Sequence, residues 1–240
     1  MRPELLTDTP TEDTRHTPMM SHEEALRRIA WQDKIYKDHL NRRTQLSMEF
    51  LGRKLVVDRN VFAPAPPELN LLSATVLKEV KERDVVLDMG TGSGIQAILA
   101  ASKARRVLAV DVNPDAVRCA RRNVALNGLM NRVQVKQSNV FEEVRGRFDL
   151  ILFDPPFRWT TARDLWEMCS ADRDYTALKT FLREGREYLT KNGRIIVSFG
   201  TSGDIAYVKH LIRLNGFRRR QLMKQHQEQG WSYFTYRLTP

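Results

Sequence analysis

The chain has 240 residues, of which 42% are apolar and 28% charged. This composition is typical of a globular protein and excludes a disordered, collagen-like or coiled-coil chain. The length fits one large domain, or one core with a small appendage. The net charge of +10 makes RNA a candidate partner, although a basic surface can also serve solubility alone.

The sequence contains no uncharged apolar run of 18 residues, and its first 20 residues lack a basic flank followed by an apolar stretch. We therefore expect a cytoplasmic protein with no membrane association. Cys119 and Cys169 cannot form a disulfide framework, and no Cys or His spacing is typical of a metal site. No metal is expected, and the oligomeric state stays open.

Three regions are predicted along the chain. Residues 1–20, with five Thr and three Pro, are expected to be a disordered leader. Residues 21–68 form an N-terminal appendage with a possible role in substrate recognition. It consists of an amphipathic helix over 21–44 capped by Ser21, two short strands around Gly52, and a proline-rich bend over 61–68. Residues 69–240 form the main domain.

The main domain begins with a helix over 69–81 and then alternates strands with helices, which is typical of a doubly wound parallel sheet. The predicted strands are 85–89, 106–112, 132–136, 148–153 and 194–199. Helices are predicted over 95–104, 114–126, 173–190 and 204–215. The closely joined strands 217–224 and 231–238 must be antiparallel neighbours. The predicted fold is α/β, with a seven-stranded, mostly parallel sheet and an antiparallel C-terminal hairpin.

A glycine-rich turn, Gly90-Thr91-Gly92-Ser93-Gly94, connects the first of these strands to a helix. Such a turn lets the backbone approach a nucleotide-like ligand. A dinucleotide fingerprint would need Gly or Ala where Ile95 stands, and Asp88 would repel a pyrophosphate. A ligand with an amino group and a sulfonium would tolerate that carboxylate. Asp111 ends the next strand, where a carboxylate can accept both hydroxyls of a ribose.

The tetrapeptide Asp154-Pro155-Pro156-Phe157 directly follows the apolar strand 148–153. Two prolines remove backbone N–H donors, so the carbonyls and the carboxylate present only acceptors, which suits an NH2 donor. Phe157 offers a flat surface for a planar substrate.

These motifs resemble the class I S-adenosylmethionine (SAM) dependent methyltransferases, from about Val85 to the C-terminus. The resemblance also covers Val110-Asp-Val-Asn-Pro and Gln137-Ser-Asn-Val-Phe. It implies that the glycine loop contacts the amino acid part of SAM, Asp111 the ribose, and Asn139, in place of the usual Asp, the adenine amine. The predicted cofactor-contacting residues are Asp88, Gly90, Thr91, Gly92, Gly94, Ile95, Asp111, Val112, Asn113, Ser138, Asn139 and Asp154.

The tetrapeptide is similar to the (Asn/Asp/Ser)-Pro-Pro-aromatic motif of SAM enzymes that methylate exocyclic base amines or glutamine amides. The resemblance implies in-line transfer, with Asp154 and the Pro155 carbonyl orienting the acceptor nitrogen. The predicted catalytic residues are Asp154, Pro155, Pro156 and Phe157. The predicted substrate-binding residues are Phe62, Pro64, Phe157, Trp159 and Trp166, although both tryptophans also suit the core of a short helix.

The acceptor remains open among three possibilities. The charge and Asp154 favour a nucleobase amine in RNA. A small heteroaromatic metabolite is an alternative. The segment 61–68 resembles HemK-like release-factor glutamine methyltransferases and their small-methyltransferase relatives, which usually carry Asn at the Asp154 position. An NAD-binding oxidoreductase or a non-catalytic nucleotide-binding module is disfavoured by Ile95 and the intact tetrapeptide.

Overall fold

The computed structural model describes residues 15–41 and 44–240. Helix α1 (His22–Leu40) begins where predicted, because the Ser21 hydroxyl accepts a hydrogen bond from the Glu24 amide at 3.2 Å. Strands β1 (Leu46–Phe50) and β2 (Arg53–Val57) form an antiparallel hairpin.

Seven further strands form one sheet. They are β3 (Val85–Met89), β4 (Arg106–Asp111), β5 (Val133–Gln137), β6 (Phe148–Phe153), β7 (Leu189–Gly200), β8 (Arg218–His226) and β9 (Ser232–Thr239). Their order is β5-β4-β3-β6-β7-β9-β8, with parallel pairing from β5 to β7 and antiparallel pairing of β9 with β7 and β8. The predicted fold class is confirmed. The strand order reverses beside β3, which opens a crevice at the carboxyl ends of the strands.

Helices cover both faces of this sheet. Helices α2 (Leu71–Glu79), α3 (Ile95–Ala100) and α4 (Pro114–Leu126) share one apolar core with the sheet, while α5 (Thr176–Glu184) and α6 (Ile205–Leu214) share the other. None of the helices in the described part of the chain combines the length and apolar content that crossing a bilayer requires.

The β1–β2 hairpin belongs to the first core, although the sequence suggests an appendage. Phe50, Leu55 and Val57 are buried in it. The Asn123 side chain on α4 accepts from the Val56 amide at 2.9 Å and donates to the Val56 carbonyl at 3.1 Å. These hydrogen bonds attach the hairpin edge to the helix.

Residues 15–20 are also packed on the main domain, so the prediction of a disordered leader over 1–20 is wrong for this part. His16 is 8% exposed, and its Nε2 atom lies 3.2 Å from the Asp204 carboxylate. The Met19 amide donates to the same carboxylate at 2.7 Å. The rest of the predicted leader, residues 1–14, lies outside the described residues.

Several helix boundaries differ from the sequence prediction. Helix α1 ends at Leu40 rather than at 44, and α2 spans Leu71–Glu79 rather than 69–81. Helix α3 ends at Ala100 rather than at 104. The helix predicted over 173–190 is a 3-10 turn followed by α5, because Asp174 and Tyr175 both have a φ of +56°, which interrupts a helix. The Phe148 amide donates to the Tyr188 carbonyl at 2.7 Å, so the chain already runs beside β6 before β7 begins at Leu189.

Candidate active site

A cavity of about 970 Å³ opens at the carboxyl ends of β3, β4 and β6. Most of the predicted site residues line it. They are Phe62, Pro64, Gly90, Thr91, Gly92, Asp111, Val112, Asn113, Ser138, Asn139, Asp154, Pro155, Pro156 and Phe157. The parallel sheet brings these separated segments together because its strand ends meet at one edge.

The glycine loop forms one wall of the cavity. Gly90, Gly92 and Gly94 have φ values of +67°, +55° and +86°, which side chains rarely tolerate. At Gly94 the neighbouring helix imposes a second constraint, because a Cβ atom would lie 3.1 Å from that of Ala120. Gly94 therefore supports the loop by close packing and does not line the cavity.

Asp111 stands at the end of β4, facing the cavity. One carboxylate oxygen accepts from the Gly92 amide and the other from the Asn113 amide, both at 2.9 Å. These bonds fix the carboxylate and leave each oxygen a further lone pair. Burial raises the pKa of Asp111, while hydrogen bonds from the Asn113, Gly92 and Val112 amides oppose this rise. Its geometry suits a pair of ribose hydroxyls.

Asp88 differs from its predicted role, because it does not line the cavity. It is 2% exposed, and one carboxylate oxygen accepts from the Thr91 hydroxyl at 2.6 Å and from the Ala97 amide at 3.1 Å. Burial raises its pKa to about 7. Asp88 thus holds the glycine loop against α3. Ile95, also predicted to contact the cofactor, is buried in the core instead.

Ser138 and Asn139 directly follow β5, and both line the cavity. The Ser138 hydroxyl donates to the Val140 carbonyl at 2.9 Å and accepts from the Glu143 amide at 3.0 Å, which shapes the turn. The Asn139 amide nitrogen donates to Glu142 at 2.8 Å. The Asn139 side-chain oxygen is therefore the atom that can accept from an adenine amine.

The Asp154 side chain is exposed to the cavity, at the point where β6 ends. The loss of hydration raises its pKa to about 7, while a hydrogen bond from Ser198 opposes this rise. The loop that follows is fixed by Tyr175, whose hydroxyl donates to the Phe157 carbonyl at 2.7 Å. The half-buried Phe157 ring lies 4.5 Å from the Phe199 ring and 6.0 Å from that of Tyr233, between centroids. Carboxyl and aromatic face are thus held together at one end of the cavity.

Trp159 and Trp166, predicted to contact the substrate, lie outside the lining of the cavity. The Trp166 ring stacks on His39 of α1 with 3.7 Å between centroids. Trp159 packs edge-on against His16, with 5.6 Å between centroids. Both tryptophans attach the N-terminal segment to the loop after Phe157. That loop lines the cavity through other residues, Leu165, Met168 and Cys169 among them.

Sequence reasoning also missed the contribution of α1. Trp31, Gln32 and Ile35 line the cavity, although they precede the glycine loop by about 60 residues. The helix is docked by Arg28, whose guanidinium donates to the Gly203 carbonyl at 2.5 Å. Helical spacing indicates an amphipathic helix but carries no signal of where it docks.

The cavity residues fit SAM. Asp111 supplies acceptors for a ribose, Asn139 an acceptor for an amine, and the glycine loop an open backbone wall beside them. A Rossmann-like sheet, this loop and the Asp154 tetrapeptide at one edge define the class I SAM-dependent methyltransferases. A family model described as the Methyltransferase small domain matches residues 53–206, and the chain belongs to that family.

Several curated relatives are similar to part of the chain. A putative protein N5-glutamine methyltransferase of Methanocaldococcus jannaschii is 40% identical over 111 residues, which cover 46% of this chain and 54% of the relative. A release factor glutamine methyltransferase of Aquifex aeolicus is 30% identical over 169 residues, 63% of this chain and 59% of the relative. The chain thus spans about half the length of the curated relatives it matches.

Solved structures share the fold. The M. jannaschii tRNA m1G37 methyltransferase superposes with a TM-score of 0.62 at 21% identity, covering 83% of this chain and 58% of that one. A ribosomal protein L11 methylase of Lactobacillus delbrueckii gives 0.53 at 22% identity, covering 73% and 80%. At these identities the likeness concerns the fold alone.

Proposed function

We propose that the protein transfers a methyl group from SAM to the side-chain amide nitrogen of a glutamine in a protein substrate. Relatives at 30–40% identity carry names with this activity. They favour the glutamine alternative over the RNA base that charge suggests. The observation that carries the proposal is the placement of the Asp154 carboxyl, open to the cavity beside Ser198 and Phe157.

The protonation of Asp154 removes the chemical objection to an amide acceptor. A carboxyl with a pKa of about 7 is partly protonated at neutral pH. Its protonated form has one acceptor oxygen and one O–H donor, the same pattern as the asparagine usual at this position. It can accept from the NH2 of a glutamine and donate to the glutamine carbonyl.

The residues act mainly by positioning. SAM supplies an electrophilic methyl group on a sulfonium, so a nitrogen–carbon bond forms as the carbon–sulfur bond breaks. Asp154 and the Pro155 carbonyl are proposed to accept from the two amide protons, which aligns the nitrogen with the methyl group. The methylated nitrogen then loses a proton, which has become acidic. Phe157 provides a flat surface for the planar amide.

A nucleobase amine in RNA is the second candidate, and the carboxyl itself favours it. An exocyclic amine offers two N–H donors, which an ionised carboxylate accepts better than an amide does. A small heteroaromatic amine would donate to the Asp154 carboxylate in the same way.

The pair Asp154→Asn and Asp154→Ala separates these candidates. Methyl-labelled SAM is incubated with protein extract treated with nuclease, and the incorporation rate is followed from pH 6 to 9. For a glutamine acceptor, Asp154→Asn should remain active and lose pH dependence near 7, while Asp154→Ala falls about 100-fold or more. Affinity for S-adenosylhomocysteine should be unchanged in both.

The control is Asp38→Asn, which alters an exposed carboxyl on α1 and should leave rate and pH profile as in the parent. An Asp154→Asn variant as inactive as Asp154→Ala would show that the carboxylate is needed and would contradict the amide assignment. An Asp154→Ala variant at the parental rate would remove Asp154 from the mechanism.

A further inference from the structure

A second concave surface lies between α6 and β8, and none of its residues lines the cavity described above. It encloses about 430 Å³. Its lining includes the basic side chains Lys209, His210, Arg213 and Arg219, with the buried apolar residues Ile212 and Phe217 beneath. We call it the α6–β8 cleft.

The sequence around the cleft is basic without compensation. The segment 205–226, which contains both α6 and β8, has six Lys or Arg residues and no Asp or Glu. The ion pairs found among the described residues include none of these six cations. An ordinary solvated surface mixes positive and negative side chains, which this segment does not. Its six uncompensated cations account for much of the chain's net charge of +10.

Aromatic rings, rather than carboxylates, hold several of these cations. The Lys209 and Lys224 ammonium groups lie 5.7 and 5.8 Å from the Phe234 ring centroid. The Arg219 guanidinium lies 4.7 Å from that of Tyr236. A cation on a ring face is positioned without being neutralised, so its charge remains directed at an incoming anion.

The strand register explains why Arg219 joins the cleft. Side chains alternate along β8, so Arg219 points to the α6 side of the sheet while Arg218 and Arg220 point to the other. Lys209 and Arg213 lie one turn apart on α6 and therefore share a face with each other. Partial burial and the nearby Arg219 lower the pKa of Lys209, as expected where cations are gathered without an anion.

We propose that the α6–β8 cleft binds the phosphate backbone of RNA. Phosphates present regularly spaced negative charge that several clustered cations can contact together. This binding surface is separate from the methyl-transfer cavity, and its test does not depend on the acceptor. For a protein substrate that is assembled with RNA, such a surface would hold the enzyme near its target.

The test is binding of a labelled 20-nucleotide single-stranded RNA to the full chain, by fluorescence anisotropy from 50 to 300 mM salt. The variant replaces Lys209, Arg213 and Arg219 together by Gln. If each contacts one phosphate, affinity at 0.1 M salt should fall about 100-fold, and the slope of log K against log salt should lose about two units.

The matched control replaces Lys81, Arg83 and Arg105 by Gln, which removes the same charge from exposed positions that precede β3 and β4 and do not line the cleft. It should bind RNA within about threefold of the parent at 0.1 M salt, in contrast to the cleft variant. The cleft variant loses two contacts between a cation and a ring, which could also affect folding. Arg213→Glu, which changes only an exposed side chain, is therefore measured too and should weaken RNA binding at least 10-fold.

Three outcomes would overturn the proposal. The cleft variant could bind RNA as tightly as the parent does. The control variant could weaken RNA binding as much as the cleft variant, which would show that only the net charge matters. The parent could instead bind poly-glutamate at the same charge concentration and fail to bind RNA, which would assign the cleft to an acidic protein.

Discussion

Asp111 offers a direct test of how the cavity holds SAM. Its two carboxylate oxygens are fixed by the Gly92 and Asn113 amides at 2.9 Å, and their remaining lone pairs are proposed to accept from the ribose hydroxyls. The Asp111→Ala substitution removes both acceptors. Hydrogen bonds to a charged group contribute about 1.5–3 kcal/mol each, so the loss should be about 3–6 kcal/mol in S-adenosylhomocysteine binding. This corresponds to a Kd about 150-fold higher or more.

Isothermal titration calorimetry with S-adenosylhomocysteine measures this change. Asp154→Asn is the matched control, since it alters another carboxyl of the same cavity that is assigned to the acceptor. The control should bind within about threefold of the parent. An Asp111→Ala variant that also binds within threefold would refute the ribose assignment, and equal losses in both variants would refute the division of the cavity into two ends.

Three further predictions concern stability and packing. Burial raises the pKa of Asp88 from its ordinary 3.8 to about 7. The folded protein therefore binds this proton more tightly than the unfolded chain does. The resulting contribution to the free energy of unfolding is complete below pH 4 and is lost as the pH rises to 7. An asparagine does not titrate, so the free energy of unfolding of Asp88→Asn minus that of the parent should rise by up to about 4 kcal/mol from pH 4 to pH 8. Urea unfolding measures this difference, and a difference that stays constant with pH would contradict the burial argument. Gly94→Ala should lower the free energy of unfolding by about 2 kcal/mol, from left-handed strain and the approach to Ala120, and an unchanged urea midpoint would contradict it. His16→Ala should release residues 15–20 and speed trypsin cleavage after Arg15, while the exposed His226→Ala should not; equal cleavage rates would show that the His16 contacts do not hold the segment.

Most of the sheet, and the two carboxyls at the ends of β4 and β6, could be predicted because parallel strands impose strong sequence patterns. Buried strands read as apolar runs, and their carboxyl ends must meet at one edge. Asp111 and Asp154 therefore fall beside the same cavity although 43 residues separate them.

Other site features depend on tertiary contacts that leave no local pattern. Asp88 and Asp111 both stand at strand ends, yet only the structure shows that Asp88 turns inward to Thr91 and Ala97. Trp166 looks like a pocket residue in sequence, but the docking of α1 places His39 against it. The same docking brings Trp31 into the cavity.

The measurement that tests the central claim most directly is a partition of transferred label. The purified protein and methyl-labelled SAM are incubated with an extract of the organism that encodes it, and the product is divided by nuclease, protease and size filtration. For a protein glutamine acceptor, label should be released by protease alone and recovered as N5-methylglutamine after complete enzymatic digestion. Label released by nuclease, or label that passes the filter as a small molecule, would contradict a protein glutamine acceptor.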